Sequence, residues 1–266
     1  MMKYKAVISD LDGTLLNSNH QVSSYTKEVI NKVIEKGIKF FIATGRHHMD
    51  VTCIREELGL DTTFITSNGS RVHNGERKEI FACDLDEKTV KDILNMEYDC
   101  EVHVNMYQGD QWFAAKENEW VRQFHNETGF CYDIRDLKKL KSYTASKVFF
   151  LCENNEKLLQ VKEQIEEKFG EKLNVTFSLP QCLEIMASGV SKGTALEKVL
   201  KQYDIHPKEV VAFGDGLNDL EMLTFVGKGL VMGNAQDNLK NVLTENEIIQ
   251  TNDDNGVANY LEKLFL

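Results

Sequence analysis

Proline is almost missing from this chain: Pro180 and Pro207 are the only two in 266 residues. That scarcity excludes proline-rich linkers, and the chain also lacks internal repeats, low-complexity tracts and long spacers. No apolar run approaches the roughly 20 residues of a membrane helix. The amino terminus passes directly into an apolar strand, which leaves no room for a signal peptide. Six cysteines stand far apart, at positions 53, 83, 100, 131, 152 and 182, with no Cys-x-x-Cys pair. Neither a zinc site nor a redox centre is expected from them, and they read as reduced, mostly packing residues. Positive charge is also short. The 31 Lys and Arg against 42 Asp and Glu leave a formal net charge of −11, unsuited to wrapping nucleic acid. The expectation is a cytoplasmic protein with a small-molecule partner, no nucleic acid, no membrane and no obligate protein partner. An anionic ligand stays possible, because fields from exposed charges fade over about 8 to 10 Å at physiological salt.

What is present begins with Ala6-Val7-Ile8, a short strand that runs into Asp10-Leu11-Asp12-Gly13-Thr14. Alternate side chains of a strand share a side, so Asp10 and Asp12 can converge where it ends, and Gly13 permits a sharp turn. A second apolar run, Ile38 to Ala43, ends in Thr44-Gly45-Arg46. A hydroxyl and free backbone N–H groups just before a helical segment can hold an anion, helped by the helix's amino end. Later, Ser191 reads as the cap of a helix reaching about Gln202, with Lys192 in its first turn. A cation there opposes the helix dipole and calls for an anionic partner. Finally Val210 to Phe213 is a continuously apolar, buried strand ending in Gly214-Asp215-Gly216-Leu217-Asn218-Asp219. Asp219 replaces the third glycine of a dinucleotide fingerprint, and so acidic a loop would repel a pyrophosphate unless a metal were present. Each element alone also has a plainer reading, as a polar turn, a helix cap or a solvated lysine.

Their order is more specific: D-x-D-G-T, T-G-R, a lysine opening a helix, then G-D-G-x-N-D. With Ser67-Asn68-Gly69-Ser70 and Leu183-Glu184-Ile185-Met186 between them, the chain resembles the haloacid dehalogenase-like (HAD) superfamily over essentially its whole length, in particular its Cof-type phosphatases acting on pyridoxal phosphate and sugar phosphates. The resemblance implies Asp10 as the nucleophile forming an aspartyl-phosphate, and Asp12 as the acid and then the base. It implies Mg²⁺ held by Asp10, Asp215 and the backbone carbonyl of Asp12, with Asp219 ligating or orienting a metal-bound water. Lys192, Thr44 and Gly45 would bind the phosphoryl oxygens, with Leu11 and Arg46 beside them, and Asn218 would touch phosphate or substrate. Several carboxylates around a phosphate dianion repel one another by roughly 4 kcal/mol per pair at about 4 Å and an effective dielectric near 20, so a cation is required. Hard oxygen ligands suit Mg²⁺. Two other uses of such a site remain: a phosphotransferase or mutase, and a non-catalytic sensor of a phosphorylated ligand.

The motif-bearing strands alternate with helices at 1–82 and 188–266, the rhythm of an α/β, Rossmann-like open parallel sheet whose site lies at the carboxyl ends of its strands. Residues 83–187 have another texture. Helical patterns at 86–96, 118–128 and 154–169 mix with strand-like runs at 101–106, 111–115, 146–152, 173–178 and 183–186, which predicts an α+β domain around a largely antiparallel sheet. In the family resembled, an insertion here is a cap (C2-type) that closes over the site. Substrate choice is expected there, with Glu184 the first candidate, then Tyr107, Trp112 and Phe113; Asn68 and Arg71 of the core are comparable. His47 and His48 point about 100° apart on a helix and do not chelate together. Arg46 and His47 could line the cleft, but the histidine pair reads as helix surface.

Overall fold

The computed structural model describes residues 4–119, 121–122 and 129–266. Eight strands form the larger sheet: β1 (Ala6–Ser9), β2 (Lys39–Ala43), β3 (Phe64–Thr66), β4 (Arg71–His73) and β5 (Glu79–Ala82), then β12 (Val210–Gly214), β13 (Lys228–Val231) and β14 (Glu247–Ile248). Their order is β14-β13-β12-β1-β2-β3-β4-β5. The first six are parallel, and β4 and β5 are added antiparallel at one edge. Every residue of β1 and β12 is buried, as a strand flanked by parallel neighbours and helices requires.

Register brings the motifs together. Ser9 lies beside both Ile42 and Phe213, so the residues following β1, β2 and β12 emerge side by side at one edge. Beyond β1 the chain makes a wide helical turn over Leu11–Leu15, broken at Gly13 with φ +72°. A side chain there would be strained and would also strike the Asp215 carboxylate. Thr44-Gly45-Arg46 is not followed directly by a helix. The next one spans Thr52–Leu58, so the expected dipole contribution is absent and anion binding at this turn relies on the hydroxyl and backbone alone.

The chain leaves this sheet after β5 and builds a second one from β6 (His103–Gln108), β7 (Gln111–Ala114), β8 (Tyr132–Ile134), β9 (Lys147–Leu151), β10 (Leu173–Leu179) and β11 (Cys182–Ala187), in the order β10-β11-β9-β6-β7-β8. Only β7 and β8 pair in parallel. The helices Glu87–Leu94 and Asn155–Phe169 pack on one face with Val148, Phe150, Leu183 and Ile185. By the two-residue period of a strand, Lys147, Phe149, Cys182, Glu184 and Tyr107 fall on the other face, where Tyr107, Phe149 and Cys182 share a cluster with Trp112 and Phe130. The helical pattern at 118–128 lies largely outside the described residues. β8 lay outside every strand-like run in the sequence. Among the described residues, no helix is long and apolar enough to cross a membrane.

The cysteines correct an expectation. Cys152 and Cys182 are buried, but Cys53, Cys100 and Cys131 are exposed and Cys83 is half-buried. Most of them therefore contribute little to packing.

Candidate active site

Lys192 stands at the centre of the site. The helix Lys192–Gln202 starts at a capping box, in which Ser191 Oγ accepts from the Thr194 amide and the Thr194 hydroxyl accepts from the Ser191 amide. The lysine in its first turn is fully buried. The anionic partner demanded by its position comes from the protein itself, since Nζ lies 2.6 Å from Asp219 Oδ1 and 2.9 Å from Asp10 Oδ1. Burial alone would lower its pKa, but these two carboxylates more than reverse that and hold it cationic.

Asp10, Asp215 and Asp219 bring carboxylate oxygens within 4.8 Å of one another. Asp219 is fully engaged: Oδ1 accepts from Lys192, while Oδ2 accepts from the amides of Asp215 and Gly216 at 2.9 and 3.0 Å. That arrangement suits a residue that shapes the loop and anchors the lysine. Asp215 accepts from the Thr14 hydroxyl at 2.6 Å. Asp10 accepts from the Leu11 amide at 2.7 Å, and the Leu11 side chain is buried in the core. Burial, then repulsion from Asp219, raises Asp10 well above the carboxylate range despite Lys192. The same two causes push Asp215 up to about 7. One lysine among three carboxylates leaves a local deficit of positive charge.

The carboxylate of Asp12 stands apart from this cluster and faces Arg46, which donates to it through Nε at 2.8 Å and through a terminal nitrogen at 2.6 Å. Burial works to raise its pKa, but the guanidinium, with help from His20, holds Asp12 well below the usual carboxylate range. Asp12 is thus held as an anion while the Arg46 guanidinium stays beside it. Arg46 also lies 3.5 Å from Asp50.

A polar chain crosses from the larger sheet to the second. Asn218 donates to Asn68 Oδ1 at 3.0 Å, and Asn68 donates to Glu184 Oε2 at 2.6 Å. Glu184 Oε1 in turn receives Lys147, whose ammonium also donates to the Gly45 carbonyl at 2.8 Å. Asn218, Glu184, Lys147 and Gly45, with Asp10, Asp12 and Asp215, border one cavity of about 350 Å³, whose other walls include Tyr107, Phe149, Leu179 and Cys182; Asn68 and Asp219 lie behind its lining. Of the residues expected to choose substrate, Glu184 and Tyr107 border this cavity. Trp112 instead donates to Asn105 within the aromatic cluster. Phe113 packs on the opposite face, and Arg71 is tied to Glu79 and Asp84. Thr44 is fully buried, with its hydroxyl accepting from the Arg46 amide at 3.1 Å.

The histidines correct another expectation. His47 is buried, not on a helix surface, and meets the Gly109 carbonyl at 2.9 Å, while His48 meets Asp110 at 2.9 Å. Both contact the turn between β6 and β7, and burial, then His48, lowers His47 to about 3. Sequence reasoning missed Lys147 altogether. Its signal was a lysine opening the apolar run Val148 to Leu151, which a strand edge explains equally well.

Residues 7–261 match the haloacid dehalogenase-like hydrolase family. A Haemophilus influenzae protein with only the general name of phosphatase is 38% identical over 266 residues, covering 99% of this chain and 98% of its own. A Yersinia pestis HMP-PP phosphatase is 33% identical over 258 residues, 97% of this chain and 94% of its own. The structure of a haloacid dehalogenase-like hydrolase from B. subtilis superposes with a TM-score of 0.83 at 28% identity, covering 98% of this chain and all of that one.

Proposed function

The chain belongs to the haloacid dehalogenase-like hydrolase family, and from that premise we propose that it is a Mg²⁺-dependent phosphatase of small phosphomonoesters working through an aspartyl-phosphate. The observation that carries this reading is the buried Asp10–Lys192–Asp219 triad, whose Asp10 opens, with Asp215 and the Thr44–Arg46 turn, onto one cavity roofed by the second sheet. In the first step an Asp10 oxygen bonds to phosphorus as the ester P–O bond breaks. Lys192 keeps Asp10 aligned and offsets the charge that gathers on the phosphoryl oxygens. Thr44 and the Gly45 backbone, which border the cavity, would receive those oxygens. In the second step Asp12, which Arg46 keeps ionised, takes a proton from the water that attacks phosphorus, as the bond from phosphorus to the Asp10 oxygen breaks, phosphate leaves and the Asp10 carboxylate is regenerated. Proton delivery to the leaving alcohol in the first step requires Asp12 to part from Arg46 and arrive protonated, so that half of its role is coupled to movement of the guanidinium. Residues 83–187 act as a cap that excludes water from the site during the first step.

Mg²⁺ fits the donor set. Asp10, Asp215 and the Asp12 carbonyl supply hard oxygens, and the charge deficit among the acids is what a divalent cation would neutralise. Bound there, it would offset the charge of the phosphoryl group. Removing it has a pH signature. Asp215 has a folded pKa near 7 against about 3.8 when unfolded, so its proton stabilises the folded state fully below the unfolded value. That contribution is lost as pH rises through 7. Asp10 shifts in the same direction, and Asp12, shifted oppositely, acts only below about pH 4. The gain in melting temperature that Mg²⁺ gives over chelator is therefore expected to grow from pH 4.5 to 7.5, whereas buried His47, whose lowered pKa makes stability rise with pH over part of the same range, acts alike with and without the ion. A Mg²⁺ stabilisation that does not grow over this range contradicts the charge deficit.

The function itself is tested by phosphate release from a panel containing pyridoxal 5′-phosphate, hexose phosphates and HMP-PP, with Mg²⁺ or chelator. Mg²⁺-dependent release from at least one ester is expected, and no release from any of them would overturn the reading. Asp12→Asn should lower kcat by about 10² to 10⁴, most on esters of poorly acidic alcohols, because acid–base help matters most there. Equal loss on an aryl phosphate and an alkyl phosphate would remove Asp12 from the proton-transfer role.

A further inference from the structure

Ser67-Asn68-Gly69, which follows β3, takes a left-handed backbone three times in succession. Ser67 has φ +48°, Asn68 +53° and Gly69 +99°, a run natural for glycine and costly for serine. Asparagine tolerates such a backbone when its side chain bonds locally. Neither side chain here does so. Ser67 Oγ is buried without a hydrogen-bond partner among the described residues, and the Asn68 amide group goes to Asn218 and Glu184, far away in the chain. Strain that nothing local offsets is held by the surrounding fold, and it collects where a site needs a fixed geometry. We infer that Asn68 is a positioning residue, whose left-handed backbone aims the Gly45 amide at the phosphoryl group without itself touching substrate. This inference rests on the phosphatase reading above.

The backbone hydrogen bonds show how. Asn68 N–H donates to the Thr44 carbonyl at 3.1 Å, and Ser67 N–H to the Arg46 carbonyl at 2.8 Å. In a trans peptide the C=O and the following N–H point in opposite directions. A Thr44 carbonyl drawn back towards Asn68, which stands behind the cavity lining, therefore turns the Gly45 N–H forwards into the cavity that Gly45 borders. The other two amides of this turn are spent. Thr44 donates to the Ile65 carbonyl at 2.9 Å, and Arg46 to Thr44 Oγ1 at 3.1 Å. Gly45 keeps the amide that has no protein partner among the described residues.

Two further contacts hold this pose. The Asn68 side chain backs Gly45, where a Cβ would stand 3.1 Å from Asn68 Oδ1, so the Gly45 backbone has little room to retreat. Glu184, paired with Lys147, only accepts; Asn68 must therefore turn its nitrogen to Glu184 and its oxygen to Asn218. On the other side, Gly69 lies so close to the Ser191 carbonyl that any side chain there would collide with it. The turn is thus pressed against the start of the Lys192 helix.

The test compares wild type with Asn68→Ala and Asn68→Gly, which lose the same side chain and differ in their tolerance of a positive φ. Per folded molecule, with folding checked by thermal unfolding, Asn68→Ala should lose about 10²-fold in kcat/KM, the scale of a misplaced contact at a reacting group. The loss should be the same for pyridoxal 5′-phosphate, glucose 6-phosphate and acetyl phosphate, which share only the phosphoryl group. Asn68→Gly should regain about tenfold of that loss or more, because it restores the left-handed turn. Calorimetric binding of inorganic phosphate with Mg²⁺ should follow the same order, about tenfold weaker in Asn68→Ala than in Asn68→Gly, the scale of one charged hydrogen bond. Equal activities in the two variants overturn the inference, because the backbone conformation would then not matter. A fall in melting temperature with kcat/KM unchanged overturns it too, as does a loss that spares acetyl phosphate, which would put Asn68 on the leaving group. If wild type releases phosphate from none of the three compounds and inorganic phosphate still binds in the order stated, the hydrolase reading fails and the role of the turn stands.

Discussion

Asp10→Asn is expected to abolish phosphate release while leaving the protein as stable as wild type or more so. Removal of a covalent nucleophile costs on the order of 10⁶ in kcat, and an amide of the same shape does not attack phosphorus. Stability should move the other way. Burial and the Asp219 carboxylate both disfavour the charged form of Asp10, so a neutral side chain relieves repulsion within the acidic cluster. Lys192 keeps Asp219 at 2.6 Å as its counter-ion. Activity lost together with a large drop in melting temperature would mean that Asp10 is chiefly structural. Activity retained within tenfold would eliminate it as the nucleophile. Steady-state phosphate release and thermal unfolding, measured on the same preparation, separate these outcomes.

Lys192→Met is expected to have the largest effect on stability. The lysine is fully buried and touches two carboxylates, and removing one partner of a buried ionic group typically costs about 3 to 5 kcal/mol because the other charges remain uncompensated. For a chain of this size that is roughly a 10 °C fall in melting temperature. The fall should be smaller at pH 5 than at pH 8, because a carboxylate that protonates no longer needs the cation. Mg²⁺ should restore part of it by supplying charge from the other side of the cluster, without restoring turnover. A variant as stable as wild type at pH 8 in chelator would show that the acids are neutral in the folded protein and that the lysine does not hold the cluster together.

The four motifs were legible because each is local. A carboxylate after an apolar strand, a glycine that must take a positive φ, a hydroxyl capping a helix and a lysine in its first turn are set by a few neighbouring residues. Parallel register then carries them to one edge of the sheet. The strand-like runs of the second sheet were legible for the same reason, through their alternation. Where local patterns were trusted too far, they misled. His47 and His48 read as helix surface, yet they precede the next helix and meet Gly109 and Asp110. Phe113 and Trp112 are both aromatic residues of β7, but alternation sends Phe113 to the helix-covered face, and Trp112 is held within the other cluster by Asn105.

What the sequence determined by itself is the order of the chemical groups and the strand ends at which they emerge, since short-range sterics and hydrogen bonding dictate turns and caps. Only the tertiary structure decided which charges pair across the fold. Asp12 with Arg46, Lys147 with Glu184, and Asn68 with both Asn218 and Glu184 span from 34 to 150 residues of chain. No spacing rule links such positions. Their meeting depends on strand register, on which face alternation assigns to each side chain, and on how the second sheet lies over the first, all of which are set by packing of the whole molecule.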